Sequence, residues 1–118
     1  MHEMGIALEI IDIVKASIPA DMPDAIVARV NLKVGKLSAI VPESLRFCFG
    51  VAVKDTPLDG ADLNIEEVPV LIRCEACHEE RVVTEPVFSC AACGSGQVIL
   101  LSGKELDIVS IELAEEDD

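Results

Sequence analysis

CEACHEERVVTEPVFSCAACG, residues 74–94, governs how the rest of the chain is read. It holds two CxxC units, Cys74-Glu75-Ala76-Cys77 and Cys90-Ala91-Ala92-Cys93, separated by twelve residues. Zinc takes four tetrahedral ligands, with sulfur at about 2.3 Å. One CxxC turn sets two thiolates on one side of such a tetrahedron. A second turn, brought near by a hairpin around Thr84 to Phe88, closes it. Gly94 follows Cys93 directly and permits a tight backbone there. The spacing therefore predicts a structural four-cysteine zinc ribbon. Four thiolates complete such a site, so His78 is expected beside it or in solvent. A redox CxxC ordinarily stands alone at a helix start, a context the paired units lack.

Outward from this module, the chain divides into alternating elements. Met4, Ala7, Leu8, Ile11, Val14 and Ile18 recur at helical spacing and predict a helix from Met1 to Ile18. Pro19 and Pro23, with Asp21 and Asp24, break it. Ala25 to Gly35 alternates as a strand, with Ala28, Val30, Leu32 and Val34 on one face. Pro42 suits a first helical turn, where its missing N–H costs nothing. It opens a second helix to Lys54 with Val41, Leu45, Cys48, Phe49 and Ala52 inward. Cys48 is expected there as a buried, inert thiol. Ala61 to Val68 and Leu106 to Leu113 are further strands. The acidic tail from Glu115 on is a solvated charge run.

The organisation is helix, strand, helix, strand, cysteine module, strand. This is an α+β fold: a small sheet of about three strands packed by two helices, with the zinc ribbon inserted. Residues 1–72 and 105–118 form one domain and residues 73–104 the other.

Composition narrows the function. The 118 residues carry 9 basic and 22 acidic side chains, a net charge of −13. Phosphate backbones and anionic lipids are gripped by Lys and Arg, so neither nucleic acid nor membrane is expected as a partner. Within the module, Arg73, Arg81 and Lys104 face Glu75, Glu79, Glu80 and Glu85. Hydrophobic residues make up 51%, which excludes a disordered acidic chain. No run of about 18 apolar residues is present. Glu3, Glu9 and Asp12 interrupt any signal-peptide core. A cytoplasmic location follows as an expectation, and there cysteines serve metals or catalysis more than disulfides. No nucleophile–base motif or phosphate-cradling glycine loop is present, so the chain is read as a non-enzyme.

The sequence opens Met1-His2-Glu3. Histidine is too large for ready removal of the initiator, so His2 is expected beside a free α-amine. That amine, the His2 amide nitrogen and its imidazole can chelate one metal in fused rings. Such nitrogen donors suit Ni(II) or Cu(II) better than Zn(II). A fourth donor would come from Glu3, another amide, another side chain or solvent.

Three segments resemble the HypA/HybF family of hydrogenase-maturation nickel metallochaperones. They are MHEMGIALEIIDIV, the stretch VGKLSAIVPESLRFCF from Val34 to Phe49, and the double CxxC followed by ELDIVSIEL from Glu105 to Leu113. Ile40 stands where the family pattern has valine. The resemblance implies a nickel-binding domain carrying a zinc-ribbon insertion. It assigns His2 as the essential nickel ligand, with Met1 and Glu3 as helpers, and Cys74, Cys77, Cys90 and Cys93 to structural Zn2+. Glu43 matches a family glutamate; it is read first as a residue favoured by a helix N-terminus and second as part of the nickel site. Implied partners are the precursor of the [NiFe]-hydrogenase large subunit and a maturation GTPase. Some members also serve urease. Oligomeric state stays open, a homodimer included. Against this stands a zinc-ribbon adaptor that binds protein or nucleic acid and carries no transferable metal.

Overall fold

The computed structural model describes residues 3–85 and 88–114. Helix α1 spans Glu3–Ser17 and strand β1 Val27–Gly35. A single 3-10 turn, Lys36–Ser38, leads to helix α2, Pro42–Ala52. Strands β2 (Asp62–Val68), β3 (Val70–Cys74), β4 (Glu80–Val83), β5 (Val98–Ser102) and β6 (Leu106–Leu113) follow. They form two three-stranded sheets, in the orders β2-β1-β6 and β4-β3-β5. The expected sheet is thus the first of these, with the C-terminal strand returning beside β1.

The chain packs as two units. One takes the chain up to Leu32, Ile40–Glu66 and the residues from Asp107 on; the other takes Lys33–Ala39 and Glu67–Leu106. The ribbon's unit is therefore wider than residues 73–104, because β3 begins at Val70 and pairs on both sides. The sequence division puts Val70 to Ile72 at the end of the first domain. They are instead the central strand of a second sheet.

In the first unit, α1 and α2 pack against each other. Its core is aliphatic around one aromatic ring, Phe49: Ala7, Ile10, Ile11 and Val14 from α1, Val27, Val30 and Leu32 from β1, Leu45 and Phe49 from α2, with Val53, Leu58 and Leu63. Four details correct the periodic reading. Leu8 is half exposed while Ile10 is buried. Leu8, Ile10, Ile11 and Ile13 lie on several sides of α1, so spacing alone does not choose the inward stripe. In β1 the alternation slips at its start, so Val27 is buried and Ala28 exposed. Val41 is exposed, because it is the N-cap of α2 in an extended conformation, outside the helix. Cys48 is only partly buried.

The outer face of the first sheet is polar. Asn31 Nδ2 donates to Ser110 Oγ and to Glu112 Oε2, each at 3.0 Å. Asn64 Nδ2 donates to Asn31 Oδ1 at 3.0 Å. These bonds run from β2 across β1 to β6. Cross-strand pairs of this kind hold register.

In the second unit, β3 pairs antiparallel with β4, Val70 opposite Val83 and Arg73 opposite Glu80. It pairs antiparallel with β5, Ile72 opposite Leu100 and Cys74 opposite Val98, with a register shift between Leu71 and Ile72. The segment just before β6 is tied to the end of β1. Gly35 N–H donates to Glu105 O and Leu37 N–H to Gly103 O, both at 2.7 Å. Gly35 is buried at φ −73°, ψ 144°, which any residue can adopt. What excludes a side chain there is space: a Cβ would lie 2.0 Å from Gly103 O.

Candidate metal centre

Strand pleat delivers the first ligand. Side chains alternate along β3, burying Val70, Ile72 and Cys74. The same period that builds the core therefore turns the Cys74 thiol inward. From there the chain enters a tight turn. His78 N–H donates to Cys74 O at 2.8 Å, and Cys74 N–H donates to Glu79 O at 2.8 Å. The second CxxC repeats the pattern: Gly94 N–H donates to Cys90 O at 2.7 Å, and Cys90 N–H to Ser95 O at 2.8 Å. In both turns the residue after the second cysteine is left-handed, His78 at φ 65° and Gly94 at φ 78°. One backbone form thus serves two different residues.

The turns bring four sulfurs together. Cys74 Sγ lies 3.6 Å from Cys93 Sγ, and Cys77 Sγ lies 3.6 Å from Cys90 Sγ. All four lie within 4.8 Å of one another. A tetrahedron with sulfur at 2.3 Å from zinc has edges of about 3.8 Å. The cluster has the size and the donor chemistry of a four-thiolate zinc site, and zinc there would clamp the two turns without redox chemistry. Cys74 and Cys90 are buried, whereas Cys77 and Cys93 are exposed.

Charge is distributed by hydrogen bonding. The backbone N–H of Cys93 pulls the Cys90 thiol down to about 6. The backbone N–H of Cys77 likewise lowers Cys74. For Cys77, a backbone hydrogen bond at Glu79 acts downward. Sharing its proton with Cys90, burial and the other thiols outweigh this and push it up to about 12. Cys93 is also raised: a hydrogen bond at Ser95 lowers it, but its interactions with Cys74 and Cys90 prevail. Within each CxxC unit the first thiol is thus lowered and the second raised.

His78 is exposed and stands outside the cluster. Its left-handed backbone was not anticipated; the clue available in the sequence was its equivalence to Gly94, four residues after the first cysteine of each unit. Among the described residues, the four cysteines are the one group of three or more candidate ligands brought together. No described helix is long and apolar enough to cross a membrane.

At the other candidate centre, Met1 and His2 lie outside the described residues. Glu3 opens α1. Its Oε2 accepts a hydrogen bond from Val41 N–H at 3.4 Å. Glu43 is exposed in the first turn of α2. The start of α1 and the start of α2 are therefore linked directly, a contact that no motif in the sequence announces.

Residues 1–113 match the family model described as hydrogenase/urease nickel incorporation, metallochaperone, hypA. The chain belongs to the HypA family. A hydrogenase maturation factor HypA from Desulfosudis oleivorans is 57% identical over 115 residues, covering 98% of this chain and 100% of the relative. One from Streptomyces avermitilis is 47% identical over 112 residues, covering 94% and 86%. A solution structure of the Ni metallochaperone HypA from Helicobacter pylori shares the fold with a TM-score of 0.64, at 24% identity, covering 98% of this chain and 100% of that one. A second HypA solution structure gives 0.71 at 22% identity, covering 98% of each chain. In this HypA-family chain the described residues carry two α-helices, two small sheets and the four-cysteine cluster.

Proposed function

We propose that this HypA-family chain accepts Ni2+ at its amino terminus and delivers it during maturation of a [NiFe]-hydrogenase. The observation that carries this is the family match itself, which includes residue 1 onward and so embraces Met1-His2-Glu3. His2 is the principal ligand, assisted by the Met1 amine and by Glu3. A terminal chelate suits a carrier, since its donors can be exchanged one at a time with those of an acceptor. Those donors lose protons on binding, so acid weakens the hold and favours release.

Cys74, Cys77, Cys90 and Cys93 hold structural Zn2+. The zinc fixes the second unit as a firm surface for partners, and the nickel-binding terminus belongs to the first. The partners are the precursor of the hydrogenase large subunit and a maturation GTPase, in the cytoplasm; delivery to urease is a second outlet. The protein is a carrier and not an enzyme.

The test is a calorimetric Ni2+ titration of the untagged protein against His2→Ala. A loss of the tightest site is expected, and equal affinity in the two would sink the proposal. Residues fused ahead of Met1 should weaken binding as well, because they convert the amine to an amide. Metal analysis should find one zinc per chain in wild type and in His2→Ala, and none in a Cys74→Ser, Cys77→Ser protein.

A further inference from the structure

We infer that the Glu3 carboxylate is a brace and not a nickel donor: it ties the metal-binding terminus to the start of α2. This rests on the nickel reading above and concerns how that site is held.

Helix α2 begins without a side-chain cap, since Val41 occupies the N-cap and offers only its backbone. Helix starts normally recruit an acceptor from nearby in sequence. Here the acceptor comes from 38 residues away, where Glu3 Oε2 meets Val41 N–H at 3.4 Å. Pro42, at the next position, has no N–H to offer. A carboxylate near a helix start also meets the positive end of the helix dipole. Glu3 is half-buried, so the carboxylate is not simply trailing in solvent.

The consequence for the terminus is geometric. Glu3 is joined to His2 by a single peptide bond. A carboxylate fixed on α2 therefore anchors the residue next to the proposed chelate. Chelation costs less when its donors are already oriented. Glu3 would then influence nickel affinity strongly while staying outside the coordination sphere. Val41 would share that influence through its N–H, although its own side chain is exposed and bears no ligand atom.

Four variants separate bracing from coordination, read by Ni2+ titration and by the nickel ligand-field absorption. Glu3→Gln keeps an acceptor oxygen, so its affinity should stay within about twofold of wild type. Glu3→Ala and Val41→Pro remove the acceptor and the donor respectively. Each should weaken binding by about three- to tenfold with the absorption band unmoved. The double variant should be no weaker than either single one, because both remove the same bond. A shifted band in Glu3→Gln, or a loss of tenfold or more, would make the carboxylate a ligand and overturn the inference. Additive losses in the double variant would overturn it too. If wild type takes up no nickel, the functional proposal fails separately. The brace is then judged by urea midpoints of the same variants, where non-additive losses support it and additive ones refute it.

Discussion

Replacing Gly35 by alanine tests the close backbone approach between the end of β1 and the segment before β6. The new Cβ would lie 2.0 Å from Gly103 O, 2.1 Å from Gly103 C and 2.6 Å from Glu105 N. Carbon needs about 3.3 Å or more from a carbonyl oxygen, so the two segments must separate by more than about 1 Å. Gly103 is itself constrained. It sits at φ 122°, and its own Cβ position would be 3.0 Å from Val70 Cγ2. Separation stretches the two 2.7 Å bonds, Gly35 N–H to Glu105 O and Leu37 N–H to Gly103 O. Each is worth about 1 kcal/mol net, and overpacking adds about 1–3 kcal/mol. The expected loss is therefore about 3–5 kcal/mol, a large share of the roughly 5–15 kcal/mol that holds a domain folded. The control is Gly5→Ala, in helix α1 with nothing within 4 Å, which should gain about 1 kcal/mol from helix propensity. Urea unfolding at fixed zinc concentration measures both, since bound metal shifts apparent stability. A Gly35→Ala protein within 1 kcal/mol of wild type, alongside the expected Gly5→Ala gain, would show that the crossing is not as described.

Other outcomes follow from the same coordinates. His78→Gly should keep its zinc and be neutral or up to about 1 kcal/mol more stable, because relief of the left-handed strain is partly offset by glycine's freedom when unfolded; loss of zinc on metal analysis would instead make His78 part of the site. Zinc uptake by metal-free protein at neutral pH should release at least the protons of Cys77 and Cys93, the pair held above the ordinary thiol range. Below pH 6 Cys90 is protonated as well, so the release grows and affinity falls as acid is added. Calorimetry in buffers of different ionisation enthalpy measures this, and release of fewer than one proton would contradict it. Phe49→Ala should cost about 3–5 kcal/mol at its 2% exposed position, whereas Phe47→Ala, at 73% exposure, should stay within about 0.5 kcal/mol; thermal melts that fail to separate them would refute the assigned helix face.

Much of the architecture was legible because the chemistry is local. CxxC spacing specifies ligand turns wherever they occur, and Pro42 marks a helix start by its missing N–H. Leu106–Leu113 was read as a strand with its observed bounds. What escaped the sequence depends on partners distant along the chain. Nothing in Val70–Ile72 says that it is flanked by strands on both sides, since a short apolar run has no period of its own. Ile10 and Leu8 are equally apolar, and only tertiary packing chose between them. Glu3 and Val41 meet through a backbone group, which leaves no trace in residue type. The four-cysteine cluster is thus legible from spacing, whereas the contact between Glu3 and Val41 needed three dimensions.

The division of the chain into five alternating segments has a consequence for biosynthesis. The first unit uses residues before 33, then 40–66, then those from 107 on. Its central strand β1 has β2 on one side and β6 on the other. A chain emerging amino end first offers β1 and β2 early, but one edge of β1 stays open until residues 106–113 are made. The second unit, by contrast, has all its residues by Leu106. Translation order therefore lets the second unit close before the first sheet is whole, and a polypeptide halted near residue 105 carries all four clustered cysteines yet an unfinished first unit.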